Sequence, residues 1–135
     1  MKVPAARAVL VLCIVYAVTG ILFGTLAGEA ASNQLRVAWR WAAWLVSAVA
    51  FGAHIVYEQV RLGSSPTVTA IHVATAAGLG AFALAVAANV HAQTVSTHQR
   101  LLALSLAIWP VIVAFPAFLV ALVSALLFAR ARQNG

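Results

Sequence analysis

Acidic residues are almost absent from this chain. Aspartate does not occur among its 135 residues, glutamate occurs twice, and only 7% of all residues are charged. Because a soluble domain carries about 25% charged residues, this composition excludes an ordinary water-soluble globule. Two glutamates also leave almost no opportunity for the paired-carboxylate chemistry that many hydrolases use.

Sequence motifs of catalysis are absent as well. The chain contains no G-x-S-x-G, H-E-x-x-H, C-x-x-C, P-loop or dinucleotide fingerprint. Its single cysteine, Cys13, lies inside an apolar run, where it has no partner for a disulfide or a metal site and is expected to pack as a small hydrophobic residue. The sequence therefore favours a protein that is not an enzyme.

Apolar residues dominate the composition, at 64% of the chain, and the mean hydropathy of the chain is +1.03. Four long stretches, 8–28, 41–57, 62–99 and 101–129, contain no Lys, Arg, Asp or Glu. They predict helical spans at about 8–28, 37–60, 67–90 and 101–129. The connections are short, and short loops join antiparallel neighbours. We predict an all-α integral membrane protein, a single four-helix transmembrane domain in which the helices run up, down, up and down.

Basic residues outnumber acidic ones by eight to two, which gives a net charge of +6. They flank the apolar runs, where membrane helices place them among lipid headgroups, so the predicted partner is the lipid bilayer and not nucleic acid. Lysine and arginine favour the cytoplasmic side of a membrane, which predicts cytoplasmic termini in a plasma or inner membrane. The termini and second loop carry Lys2, Arg7, Arg61, Arg130 and Arg132, whereas the other side carries Arg36, Arg40 and Arg100.

Small residues recur at helical spacing in two of the runs. Gly20, Gly24 and Gly28 repeat every four residues, a pattern that lets membrane helices approach closely. The basic start of this run also fits a signal peptide, but its apolar stretch is longer than usual for one, so we expect the first helix to be retained. A second ridge for helix packing follows in the third run, formed by Ala76, Gly80, Ala83 and Ala87.

The second helix carries a polar stripe. At 100° per residue almost all of its polar side chains fall within a sector of about 80°. Those in the sector are Arg36, Arg40, Ser47, His54, Glu58 and Arg61. A charged stripe is costly against lipid, so it is expected to face the bundle interior or a partner chain. Across the Gly63–Pro66 turn, His72 is expected at the depth of His54. The candidate site is therefore His54, Glu58, Arg61 and His72.

Several interpretations of this site remain open. It can be a hydrogen-bonded, charge-neutralised cluster that fixes helix register, or a site for a proton or small ligand, since histidine titrates near neutral pH. His54 and His72 can clasp a haem b iron, and together with Glu58 they can bind a metal such as Zn²⁺. His91 and His98, seven residues apart near the third loop, are expected to be solvated loop histidines.

We expect a non-enzymatic accessory or interaction subunit that binds no cofactor and belongs to a larger membrane complex or a homo-oligomer. One alternative is a haem- or metal-binding redox subunit that uses His54 and His72. Another is a small oligomeric channel or carrier in which the polar stripe of the second helix lines a path. The small four-span families that we considered carry motifs that this chain lacks, so no family resemblance is inferred.

Overall fold

The architecture is described by a computed structural model that covers residues 3–93 and 99–134. All regular structure in this part of the chain is helical, in the order α1 (Val3–Gly28), α2 (Asn33–Val60), α3 (Pro66–Gln93) and α4 (Gln99–Gln133). Each helix is long and apolar enough to cross a membrane. The prediction of an all-α chain with four membrane-length helices is confirmed, and each helix extends beyond the apolar run that predicted it.

The turns between helices follow from local chemistry. Ser32 caps α2 by accepting a hydrogen bond from the Leu35 amide at 3.2 Å. After α2, Gly63 takes a left-handed conformation with φ near 60°, which glycine adopts without steric cost. The Ser64 amide then donates to the Glu58 carbonyl at 3.0 Å, and Pro66 opens α3 at a position that needs no amide donor. This tight turn brings the end of α2 against the start of α3.

Helices that are consecutive in the chain alternate in direction. Gly80 of α3 faces Tyr16 of α1, and Leu84 one turn later faces Gly20, so α1 and α3 run parallel. Asn89 Nδ2 donates to Ser105 Oγ on α4 at 3.2 Å, whereas Gly78 approaches Ala114, so α3 and α4 run antiparallel.

The start of α1, the end of α4 and the α2–α3 turn lie at one end of the described structure. Val3, Pro4 and Arg7 of α1 share a surface groove with Tyr57 near the end of α2. At the far end of α4, Arg132 Nη1 donates to the Gln59 carbonyl at 3.3 Å. We call this the turn-two end, and the opposite end, which contains the α1–α2 turn, the turn-one end.

The central helix is α3, which packs against α1, α2 and most extensively α4. Half of its apolar window is buried, against 17% or less in each other helix. Small side chains make this possible, because alanine and glycine let helix backbones approach closely. The buried residues of α3 are mainly alanines, namely Ala70, Ala74, Ala76, Ala77, Ala81 and Ala85.

The predicted packing residues divide into two groups. Gly80 and Ala76 are buried, Ala83 is half-buried, and an added Cβ on Gly80 would lie 2.7 Å from the Tyr16 Cβ. An added Cβ on Gly20 would likewise lie 2.6 Å from the Leu84 methyl groups. Gly24 and Gly28 differ, because a Cβ there would meet nothing within 4 Å. The α1 ridge thus contacts α3 at its first glycine and opens onto a groove at the other two.

Candidate functional site

Glu58 lies two residues before the end of α2 and is a fully buried acidic residue. Its side chain has no solvent exposure. The Ser64 hydroxyl donates to Oε2 at 2.6 Å, and His72 Nδ1 lies 2.9 Å from Oε1, within the distance of a charge-assisted hydrogen bond. Because Ser64 belongs to the turn and His72 to α3, this carboxylate joins the three segments that meet there.

His54 lies one helical turn before Glu58 on the same face of α2. Its side chain is fully buried, and its Nε2 is 3.7 Å from Glu58 Oε1, beyond hydrogen-bond distance. Neither ring nitrogen of His54 has a hydrogen-bond partner within the described part of the chain. Buried polar atoms without a partner are rare in native proteins, so His54 is the one group of this site whose bonding capacity is unused.

A second layer of hydrogen bonds surrounds this trio. Gln59 Nε2 donates to Thr69 Oγ1 at 2.7 Å and to the Ser64 carbonyl at 3.0 Å. The Arg132 guanidinium reaches the Gln59 carbonyl and so brings α4 into the arrangement. We call the whole set the polar cluster, and its members are His54, Glu58, Gln59, Ser64, Thr69, His72 and Arg132.

The structure brings together three of the four predicted site residues. His54, Glu58 and His72 meet around Glu58 Oε1. Arg61 is exposed at the end of α2, and its side chain makes no hydrogen bond or ion pair with any residue the structure describes. The reason is geometric, because α2 gives way to the turn at this residue and the guanidinium extends into the surroundings beyond the helix end.

Sequence reasoning missed the outer members of the polar cluster. Gln59 follows Glu58 directly, and Thr69 precedes His72 by three residues on the same helical face, so their proximity had a local signal. No local signal could have found Arg132, because its contact with Gln59 depends on how α4 packs against α2.

Of the second histidine pair, His91 and His98, the structure describes only His91. His91 is exposed in the last turn of α3, whereas His98 lies outside the described residues. The expectation of a loop position is therefore wrong for His91, which is exposed but helical, and it stays a prediction for His98.

The chemistry open to the polar cluster is proton sharing more than metal or haem ligation. A haem held by two histidines needs one ring nitrogen on each face of a flat porphyrin, whereas both imidazoles here approach the same oxygen of Glu58. Within the described residues no group of three His, Cys, Asp or Glu side chains is placed to hold a metal ion. An imidazole 2.9 Å from a carboxylate can, however, pass a proton to it directly.

Comparison with known proteins adds no relative: no family model, no curated protein and no solved structure matches this chain. The polar cluster and the helix packing must therefore carry any functional argument by themselves.

Proposed function

We propose that this chain is an integral membrane protein whose four helices cross the bilayer as an antiparallel bundle. The lengths of the helices support this, because 26 residues already span about 39 Å against a hydrocarbon core of about 30 Å. The start of α1, the end of α4 and the α2–α3 turn share the turn-two end, where more of the basic residues lie. That distribution favours a cytoplasmic turn-two end in a plasma or inner membrane.

We infer further that the protein is a non-enzymatic accessory or interaction subunit of a larger membrane complex or homo-oligomer. The observation that carries this proposal is that the hydrogen bonds of the polar cluster join different segments of the chain. Glu58, Gln59 and Arg132 bond to groups on other segments of the same chain, so the cluster fixes the mutual placement of α2, α3 and α4. Polar groups that bond one another in this way specify a unique packing of helices, as a subunit that presents a defined apolar surface requires.

Native mass spectrometry from a mild detergent tests this proposal in one preparation. The protomer mass is 14.1 kDa, and we expect a stoichiometric complex with further copies or with another membrane protein. The Glu58→Ala variant should lose that complex, whereas Glu29→Ala, which removes the exposed acid in the α1–α2 turn, should keep it. The proposal would be contradicted if the protomer carried no further copy and no other protein in both the parent protein and Glu29→Ala.

The mass spectrum and the absorption spectrum of the same preparation test the redox alternative. An accessory subunit should be colourless and free of stoichiometric metal, whereas a di-histidine haem adds its mass and a Soret absorption band. One haem per protomer that disappears in His72→Ala would replace our proposal with the redox alternative.

A small oligomeric channel or carrier is a second candidate, and His54 is the observation that favours it. Its ring is buried beside Glu58, with both nitrogens unpartnered among the described residues, and ionisable groups inside membranes commonly mark proton or ion pathways. Proton uptake by vesicles that contain the purified protein tests this candidate. A channel or carrier should show a flux that Glu58→Gln abolishes and that Glu29→Gln leaves unchanged; an accessory subunit should show no flux above that of empty vesicles.

A further inference from the structure

A groove separate from the polar cluster lies between α1 and α2 at the turn-one end. Small residues and Phe23 of α1 form its floor, and α2 contributes two arginines, Ala43 and Trp44 to its wall. The lining residues that matter here are Gly20, Gly24 and Ala27 on the floor and Arg36, Arg40 and Trp44 on the wall. Its volume of about 450 Å³ is in the range of ligand pockets.

The two arginines stand one above the other at the mouth of this groove. They are four residues apart on α2 and therefore share one face of the helix. Arg36 Nε donates to the Ala27 carbonyl at 3.3 Å, which holds that guanidinium against the end of α1. Arg40 lies about 11 Å along the helix axis from Asn33, the first residue of α2.

Their positive charge has no acidic counterpart within residues 3–93 and 99–134. Neither guanidinium forms an ion pair with an acid in the part of the chain that the structure describes. Glu58 lies 18 residues beyond Arg40 on the same helix, about 27 Å away along its axis. The only other acid of the chain, Glu29, is exposed in the α1–α2 turn. A pair of cations near the hydrocarbon region therefore calls for an anionic occupant.

The groove below the arginines matches an acyl chain in shape and polarity. A Cβ added to Gly24 or Gly28 would meet no atom within 4 Å, so this floor is open where the other helices are in contact. Trp44 flanks it with a largely exposed indole, a side chain that favours the membrane interface. A free phosphate would use only the mouth of such a groove and leave its apolar length uncovered.

We propose that this groove binds one anionic phospholipid, with the phosphate between Arg36 and Arg40 and an acyl chain along Gly24 and beside Trp44. Guanidinium groups match phosphate oxygens in planar, paired hydrogen bonds, and the apolar floor buries the chain from other lipids. The proposal goes beyond the accessory role and needs only that the protein resides in a membrane, which extraction of cell membranes with alkaline carbonate measures separately.

Native mass spectrometry measures this binding when the protein is titrated with phosphatidylglycerol or with phosphatidylcholine of the same acyl chains. We expect one phosphatidylglycerol per protomer to be retained in preference to phosphatidylcholine. Arg40→Gln should weaken its retention about fivefold, the change that one basic residue near a headgroup produces. Arg61→Gln removes the same charge from the opposite end of α2, where the side chain is exposed and lies outside this groove, and should leave retention unchanged.

Filling the groove tests the acyl-chain half of the proposal. Gly24→Leu places a side chain in open space, so it should fold normally and yet displace the lipid with both arginines intact. Gly52→Leu is the matched control, because Gly52 is also open but lies on α2 outside the groove. Inorganic phosphate should not compete with the lipid, since it lacks the chain.

Four results would overturn the proposal. They are equal retention of the two lipids, equal loss in Arg40→Gln and Arg61→Gln, unchanged binding in Gly24→Leu, and displacement of the lipid by inorganic phosphate. The last would identify the mouth of the groove as a site for free phosphate.

Discussion

Removal of the Glu58 carboxylate should destabilise the fold more than any other single change to a charged side chain. Glu58→Ala leaves the Ser64 hydroxyl and His72 Nδ1 without their acceptor, and a buried donor without a partner costs roughly 1 kcal/mol or more. The missing side chain also leaves a cavity in a fully buried place, which adds about 1 kcal/mol. The loss should total about 3 kcal/mol. Glu58→Gln, which keeps the shape and one acceptor oxygen, should cost about 1 kcal/mol.

Reversible unfolding in mixed micelles with increasing dodecyl sulfate gives these free energies of unfolding. Glu29→Ala is the control, because Glu29 is exposed and its removal should change the free energy of unfolding by less than about 0.5 kcal/mol. If Glu58→Ala were no more destabilising than Glu29→Ala, the carboxylate would not hold the α2–α3 turn, and the structural role of the polar cluster would be refuted.

The same unfolding measurement checks three substitutions of glycine. Gly63→Ala should cost about 1 kcal/mol, because the residue has φ near 60° and a Cβ disfavours that conformation; an equal or higher free energy of unfolding would contradict the turn geometry. Gly80→Ala should cost about 1–3 kcal/mol, since the new Cβ would lie 2.7 Å from the Tyr16 Cβ and force α1 from α3. Gly20→Ala should cost less, because its Cβ meets the outer part of the Leu84 side chain, Cγ and both methyl groups, which can shift more easily than the Tyr16 Cβ. The reverse order of these two costs would refute the described α1–α3 contact.

Most of the helical architecture could be predicted from the sequence because it depends on local properties. Uncharged apolar runs long enough to span a membrane specify helices, and the Gly63–Pro66 turn specifies where α2 gives way to α3. The neighbourhood of Glu58 and His72 followed from the same turn, since a short connection places the flanking helix ends side by side.

The outer part of the site could not be predicted because it depends on tertiary packing. Arg132 reaches the Gln59 carbonyl from more than seventy residues away in sequence, and no local pattern encodes the return of α4. Arg61 shares the helical stripe of Glu58, yet it is exposed because the helix ends there. Helical angle alone does not decide burial at a helix end.

The polar stripe of α2 also divides in a way that periodicity does not foresee. The part of the stripe near the turn-two end, His54 and Glu58, is buried against the rest of the chain. Arg36 and Arg40, near the turn-one end, line the open groove beside α1. The difference comes from the neighbours, because α3 covers one end of the stripe and the glycines of α1 leave the other end open.

The central claim is that α2 crosses a bilayer with His54 and Glu58 turned toward the other helices. The most direct measurement is a spin-label scan of α2 in lipid vesicles, in a Cys13→Ser background, that records collisions with oxygen and with a water-soluble nickel chelate at each position. The account predicts high oxygen accessibility at the exposed positions Leu45, Val49 and Val56, a minimum at His54 and Ile55, and low nickel accessibility along the middle of the helix. Oxygen accessibility that peaks at His54, or nickel accessibility that is high throughout, would contradict it.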